Sequence, residues 1–232
     1  VVPDGWQQGR GAFGGLVIAT LARACERSTE DRDRALRSMT AELPGPTEPG
    51  PASIEVETLR AGNAVTTVAA RLVQKGEVRA HAVAVLGRKR IEAPPRSEAA
   101  PTATPFDRIE PLPSDAPFYP TFAKYYEFRN VGPLPFMGGS EPVASGWVRP
   151  RNPGPSRDAA WVIGCADGYW PASFTAEHGP RPMATIAFTI DLLADVGALP
   201  LEEPLLHVGR VKAASEGYVV EDRELWTAAG VL

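Results

Sequence analysis

Hydrophobic and polar positions change period along the chain, and each change marks an element. After Phe13-Gly14-Gly15, the stretch LVIATLARACER repeats apolar residues at helical spacing through Val17, Leu21, Ala24 and Cys25. Leu16, Ile18 and Ala22 widen that stripe until the helix is apolar on most sides, which predicts a helix inside the protein. Beyond it the period shortens to two. Ile54 and Val56 alternate with Glu55 and Glu57, Ala61-Gly62-Asn63 reads as a turn, and residues 65–73 form a second run rich in Thr and Val. Gln74-Lys75-Gly76-Glu77 closes that run. Val78, Ala80, Ala82, Ala84 and Leu86 then alternate with Arg79, His81, Val83 and Val85. One buried helix followed by an antiparallel meander is an α+β layer pattern.

The second half of the chain repeats that plan. Ser156-Arg157-Asp158 is an N-cap signal for a helix running through Asp167, with Ala160, Trp161, Gly164 and Cys165 on one face. Strand-like segments follow at 184–193, 205–213 and 218–226, and another begins at Gly230. A single ungapped shift that sets Val65 on Val219 also sets Leu72 on Trp226, Gly76 on Gly230 and Val78 on Leu232. The first unit runs well past Val78, so the matching final strand of the second unit is expected to be missing from this sequence. Between the halves, Pro94, Pro95, Pro101, Pro105, Pro111, Pro113, Pro117 and Pro120 exclude regular helix and central strand. The expected organisation is an N-terminal unit at 1–90, a Pro-rich connector at 91–130 and a C-terminal unit at 131–232.

Composition narrows the function. With 44% hydrophobic and 22% charged residues over 232 positions, the chain is long and apolar enough to bury a core. A net charge of −4 supplies no electrostatic footprint for nucleic acid or an anionic membrane. No apolar run reaches spanning length and no leader opens the sequence, so a cytoplasmic protein is expected. Cys25 and Cys165 make no disulfide framework. His81, His178 and His207 lie far apart with no carboxylate at ligand spacing, so neither a metal nor a cofactor is expected; His81 reads as a structural or surface histidine. No G-x-x-x-x-G-K-[ST] loop and no G-x-S-x-G elbow occurs. The string from Gly9 to Gly14 matches G-x-G-x-x-G, but the polar residues 4–8 before it are not the strand that a dinucleotide site needs.

Two features keep chemical promise. Gly14-Gly15 at a helix start either exposes backbone donors at the positive dipole end, able to polarise a carbonyl, or simply lets helix and sheet pack closely. Asp167, at the inner end of an apolar helix, is either a functional carboxylate with a raised pKa or a capping aspartate before Gly168.

Gly11-Ala12-Phe13-Gly14-Gly15, Leu43-Pro44-Gly45-Pro46, the segment from Val56 to Asn63 (VETLRAGN) and Thr189-Ile190-Asp191 resemble the acyl-CoA thioesterase II family and its thioesterase-like relatives. The resemblance covers both units in order and leaves out mainly the connector. It implies a double hot-dog fold, two tandem units each wrapping a curved antiparallel sheet around one long helix. It further implies hydrolysis of an acyl-CoA thioester to free acid and CoA, with no metal and no serine nucleophile. In the family an Asp, a Thr and a Gln hold the water. The Asp maps onto Asp167. The Thr maps onto Thr189, on a strand expected to pack against the second helix. The Gln lies further along the last strand, past the turn glycine that Gly230 resembles, where this sequence offers no position.

Gly14 and Gly15 are the expected oxyanion donors. Trp170 is expected at the acyl pocket, together with Trp147, Trp161, Tyr169 and Phe188, and Arg60 or Arg10 at the CoA phosphates. A homo-oligomer is expected from the family. A non-catalytic acyl-binding protein is the alternative, and a hot-dog dehydratase ranks last because no histidine lies near Asp167 in sequence.

Overall fold

The computed structural model describes residues 1–91, 96, 98–113, 119–155 and 157–230. Ser156 of the N-cap signal, Pro94, Pro95, Pro117 and the paired position Leu232 lie outside the described residues.

A short pair, β1 (Gln7–Gln8) and β2 (Gly11–Ala12), leads into α1 (Gly14–Arg27). Val17, Ile18, Leu21, Ala22 and Cys25 are buried along α1, while Arg23 and Arg27 face solvent, so the helix keeps one wet edge. It stops where the Ser28 amide bonds back to the carbonyls of Ala24 and Cys25, with Arg27 complementing the negative helix end.

Strands β3 (Ala35–Glu42), β4 (Ser53–Ala61), β5 (Val65–Gln74) and β6 (Glu77–Gly87) follow. The β5–β6 loop is Lys75-Gly76, both at positive φ (54° and 79°), the primed turn whose twist suits a two-residue hairpin. Strand β3 escaped the sequence reading for a physical reason. Its pairing with β6 shifts register between Leu36 and Ser38, so buried Leu36 and Met39 stand three apart and the period of two is broken.

The second half opens with β7 (Tyr126–Asn130), in the last residues of the connector, and β8 (Val143–Pro150). Neither shows clean alternation; buried Glu127 on β7 is held by Arg129 and Arg149 at 2.6 and 2.8 Å. The helix α2 (Ala159–Gly168) is ten residues long and buried throughout. Asp158 caps it, accepting a hydrogen bond from the Trp161 amide at 2.9 Å, and also pairs with Arg23 of α1. Strands β9 (Ala187–Asp191), β10 (Leu205–Ser215) and β11 (Tyr218–Trp226) complete the fold, the last two joined by Glu216-Gly217 at positive φ.

Two larger sheets result, ordered β4-β5-β6-β3-β9 and β11-β10-β8-β7. The first draws on both halves of the chain, since β9 pairs antiparallel with β3 and Thr40 faces Thr189. The strand carrying Thr189 is therefore not layered on α2 within a C-terminal sheet, as expected from sequence; it extends the N-terminal one. The helices α1 and α2 pack on each other within one core that includes Phe13, Ile18, Leu21, Leu86, Tyr126 and Ile163. On its other face the four-stranded sheet buries Trp147, Leu206, Val208 and Trp226 beneath Ala103, Phe106 and Ile109. The Pro-rich connector is thus a strap, fixed by the Trp147 indole donating to the Thr104 carbonyl at 2.9 Å and by Arg129 donating to the carbonyls of Phe106 and Ile109.

Candidate active site

The end of α2 places Asp167 against the start of α1. Asp167 is 8% exposed, and its Oδ2 has no hydrogen-bond partner among the described residues. A Cβ on Gly14 would sit 2.9 Å from that oxygen, and a Cβ on Gly15 would meet Asp167 Cβ at 3.1 Å and the Phe13 ring at 2.4 Å. Only glycine admits so close an approach. Behind it, Phe13 stacks on Phe122 and meets Tyr126 edge-on, which fixes the bend into the helix.

On the other side of the carboxylate stands a charged pair from β11. Arg223 Nη1 lies 3.8 Å from Asp167 Oδ1 and donates to the Ala166 carbonyl at 2.9 Å. Its Nε donates to Glu221 at 2.8 Å, and Glu221 in turn accepts the Ala172 amide at 2.7 Å. Burial pushes the Asp167 carboxyl above the usual carboxylate range, opposed by the Arg223 guanidinium and the facing Gly15 amide and reinforced by Glu221. His207 on β10 is fully buried, stacked on Tyr169 at 4.8 Å, and burial and Arg223 hold its pKa well below the ordinary histidine value.

A cavity of about 760 Å³ runs from Asp167 between β9 and β11. Apolar groups dominate its walls, among them Val162, Phe174, Phe188, Ile190, Leu199 and Leu225. Thr189 lines it too, exposed on β9, with its hydroxyl 3.2 Å from that of Thr40. The described part of β9 pairs only with β3, and that of β11 only with β10, so the cavity lies between two strand edges that face each other unpaired among the described residues.

Asp167 and Thr189 both line the cavity, and Gly14 and Gly15 lie against the Asp167 carboxylate. Trp170 packs on Tyr169 at 4.1 Å and does not line the cavity, and of the aromatics proposed for a pocket only Phe188 does. Arg60 sits on β4, the opposite edge of the five-stranded sheet from β9, four strand spacings or about 19 Å away. His81 pairs with Glu42 at 3.0 Å on a partly exposed sheet face, a surface role. Sequence reading missed Glu221 and Arg223. Their signal was present: they are an opposite-charge pair two apart on the strand face that carries Val219 and Leu225.

Residues 2–87 match the family model described as acyl-CoA thioesterase N-terminal domain, and residues 97–232 match its C-terminal counterpart. The chain belongs to the acyl-CoA thioesterase family. Among solved structures, a hot-dog protein of unknown function from Alicyclobacillus acidocaldarius is 25% identical, with a TM-score of 0.88 over 99% of this chain and 86% of that one. A proposed thioesterase II from Thermobifida fusca is 22% identical, with a TM-score of 0.83 over 97% and 86%. The acyl-CoA thioesterase II TesB2 from Mycobacterium marinum is 22% identical, with a TM-score of 0.72 over 95% and 85%. These establish a hot-dog fold of the α+β class. No curated protein matches the chain. Among the described residues no helix is long and apolar enough to cross a membrane.

Proposed function

We propose that this thioesterase hydrolyses acyl-CoA with Asp167 as the base and Thr189 as the hydroxyl that orients the water, in a double hot-dog whose two tandem units meet at the β3–β9 pairing. One observation carries the reading: a buried carboxylate with a free oxygen and a strand hydroxyl line the same apolar cavity, beside a helix start that has room only for glycine.

The chemistry follows from those groups. Water gives one proton to Asp167, and its oxygen adds to the thioester carbonyl carbon while Thr189 fixes its direction, so the attack becomes nearly intramolecular. Negative charge then collects on the former carbonyl oxygen. The amides of Gly14 and Gly15 lie at the positive end of α1, and each well-aimed donor is worth about 3 kcal/mol to that oxyanion. Collapse breaks the C–S bond, the thiolate takes the proton held by Asp167, and free acid and CoA leave. Asp167 works only when ionised, and burial has raised its pKa. Activity therefore falls as pH drops through that raised value, at higher pH than an exposed aspartate would set. No histidine lines the cavity among the described residues, which speaks against dehydratase chemistry.

The test is release of CoA thiol from acyl-CoAs of graded chain length, comparing the protein with Asp167→Asn. A chain-length optimum and a loss of about a thousandfold in the variant are expected. Equal, negligible release from both proteins, with acyl-CoA still bound, would reduce the site to an acyl-binding cavity.

A further inference from the structure

We propose that Arg223, clamped by Glu221, is the positioning residue of the Asp167 carboxylate: it holds Oδ1 so that Oδ2 alone faces the start of α1 and receives the proton. The inference rests on the reading of Asp167 as base.

The two oxygens of Asp167 are not equivalent. Oδ1 looks toward the guanidinium at 3.8 Å, whereas Oδ2 is buried, unpartnered and directed at Gly14. A short side chain at a helix end has few rotamers, and a fixed cation on one side selects among them. Arg223 is itself fixed, because its fork is divided between Glu221 on its own strand and the Ala166 carbonyl one residue before Asp167. Glu221 is tied by its other oxygen to the Ala172 amide, just beyond α2. The clamp thus binds β11 to both sides of the α2 terminus. Arg223 is only 20% exposed, and taking a guanidinium that far out of water needs the two acceptors that Glu221 and the Ala166 carbonyl supply.

The same geometry assigns opposite electrostatic roles to the two residues. The guanidinium favours the ionised carboxylate, and Glu221 disfavours it. The remaining groups around Asp167 do not confuse the comparison. The start of α1 presents only Gly14 and Gly15, with no titratable side chain. On β7 the buried Tyr126 phenol stays protonated, its pKa pushed well above the ordinary value by burial. On β10 His207 stays neutral, as described above. From β1 and β9 the cavity receives uncharged Gln8 and Thr189, with Asp191 and, from β11, Glu224 further along its wall.

The experiment measures kcat/KM for acyl-CoA hydrolysis against pH in Arg223→Gln, Arg223→Lys and Glu221→Gln. Arg223→Gln should move the acid limb to higher pH, so that activity on the limb falls about tenfold while the high-pH plateau stays within about threefold. Arg223→Lys should return most of that loss, since it restores the charge without the fork. Glu221→Gln keeps an oxygen and a similar shape but loses the negative charge, and should move the limb to lower pH. A structural role alone would lower the plateau in all three variants and leave the limb in place, which would overturn the proposal. If Arg223→Gln does not fold, Glu221→Gln decides alone. Infrared difference spectra between the protein and Asp167→Asn give the same titration without turnover, through the carbonyl band of the protonated acid. Failure of the underlying reading looks different: Asp167→Asn would then release CoA at the same rate as the unaltered protein, high or negligible, whereas failure of the clamp alone leaves that variant far below it and the limb unmoved.

Discussion

Strands β5 and β11 hold matching places in their hairpins, yet β5 lies between two strands and β11, among the described residues, beside one. Strand β6 fills the space between β5 and β3, and its inward Ala80, Ala82, Ala84 and Leu86 are fully buried under α1. Between β11 and β9, which stand to each other as β5 and β3 do, the described residues leave a cavity instead. The turns before the two spaces are alike: Gly76 and Gly230 have φ of 79° and 78°. In the first half this position is filled by β6; in the second it is the position of the final strand that the sequence pattern expects beyond Gly230, and Asp167 and Thr189 line the space there among the described residues.

The largest test of that contrast is on stability. Leu86 is fully buried, so Leu86→Ala should cost about 3 kcal/mol in chemical denaturation, the transfer and cavity penalties together. Leu193, on the cavity wall and 72% exposed, should cost less than about 0.5 kcal/mol when changed to alanine. Similar losses for both would mean that the second space is packed like the first, and the comparison would break.

The difference also explains what could be read from sequence. Helix α1 was legible because it has a wet edge, and β5, β6, β10 and β11 because they are long and bounded by primed turns, so that their pattern survives the register shifts at Leu72/Val73 and Val211/Ala213. Strand β3 was hidden by its bulge, and β7 by charges that are satisfied only in three dimensions, Glu127 between two arginines. Asp167 stood out because a charge at the inner end of an apolar helix needs a reason. Gly14 and Gly15 stood out as well, but nothing in the sequence placed them beside it. Gly14 and Gly15 lie about 150 residues earlier in the chain, and whether their role is donation or close packing is decided by what faces them. The seating of Thr189 on the N-terminal sheet through Thr40 is a pairing between halves, which no local pattern carries.

A smaller effect, on rate rather than stability, comes from the helix start. In Gly14→Ala the new methyl would lie 2.9 Å from Asp167 Oδ2 and 3.2 Å from Leu43 Cδ1, so the carboxylate must shift. Alanine is the better helix former, and thermal stability should change by less than about 1 kcal/mol. Turnover should fall by about thirtyfold, since a displacement of well under 1 Å at the base spoils the attack geometry. Loss of stability without loss of kcat would assign Gly14 to close packing alone and remove it from the site.

The smallest effect concerns the hydroxyl on the open edge. Thr189→Val keeps the shape and removes the oxygen; a tenfold loss of kcat, about 1.4 kcal/mol, is expected with KM nearly unchanged, because the hydroxyl orients water and does not bind the acyl chain. Thr189→Ser should retain most of the rate. The sheet supplies a finer measurement, since Thr189 shares a hydrogen bond with Thr40 across the β3–β9 pairing. Removing that partner in Thr40→Val leaves the Thr189 hydroxyl present but free to turn, so under the proposed role the loss should be about two- to threefold. A Thr40→Val effect as large as that of Thr189→Val would shift the orienting role to the pair, with the N-terminal sheet then supplying half of the group that holds the water.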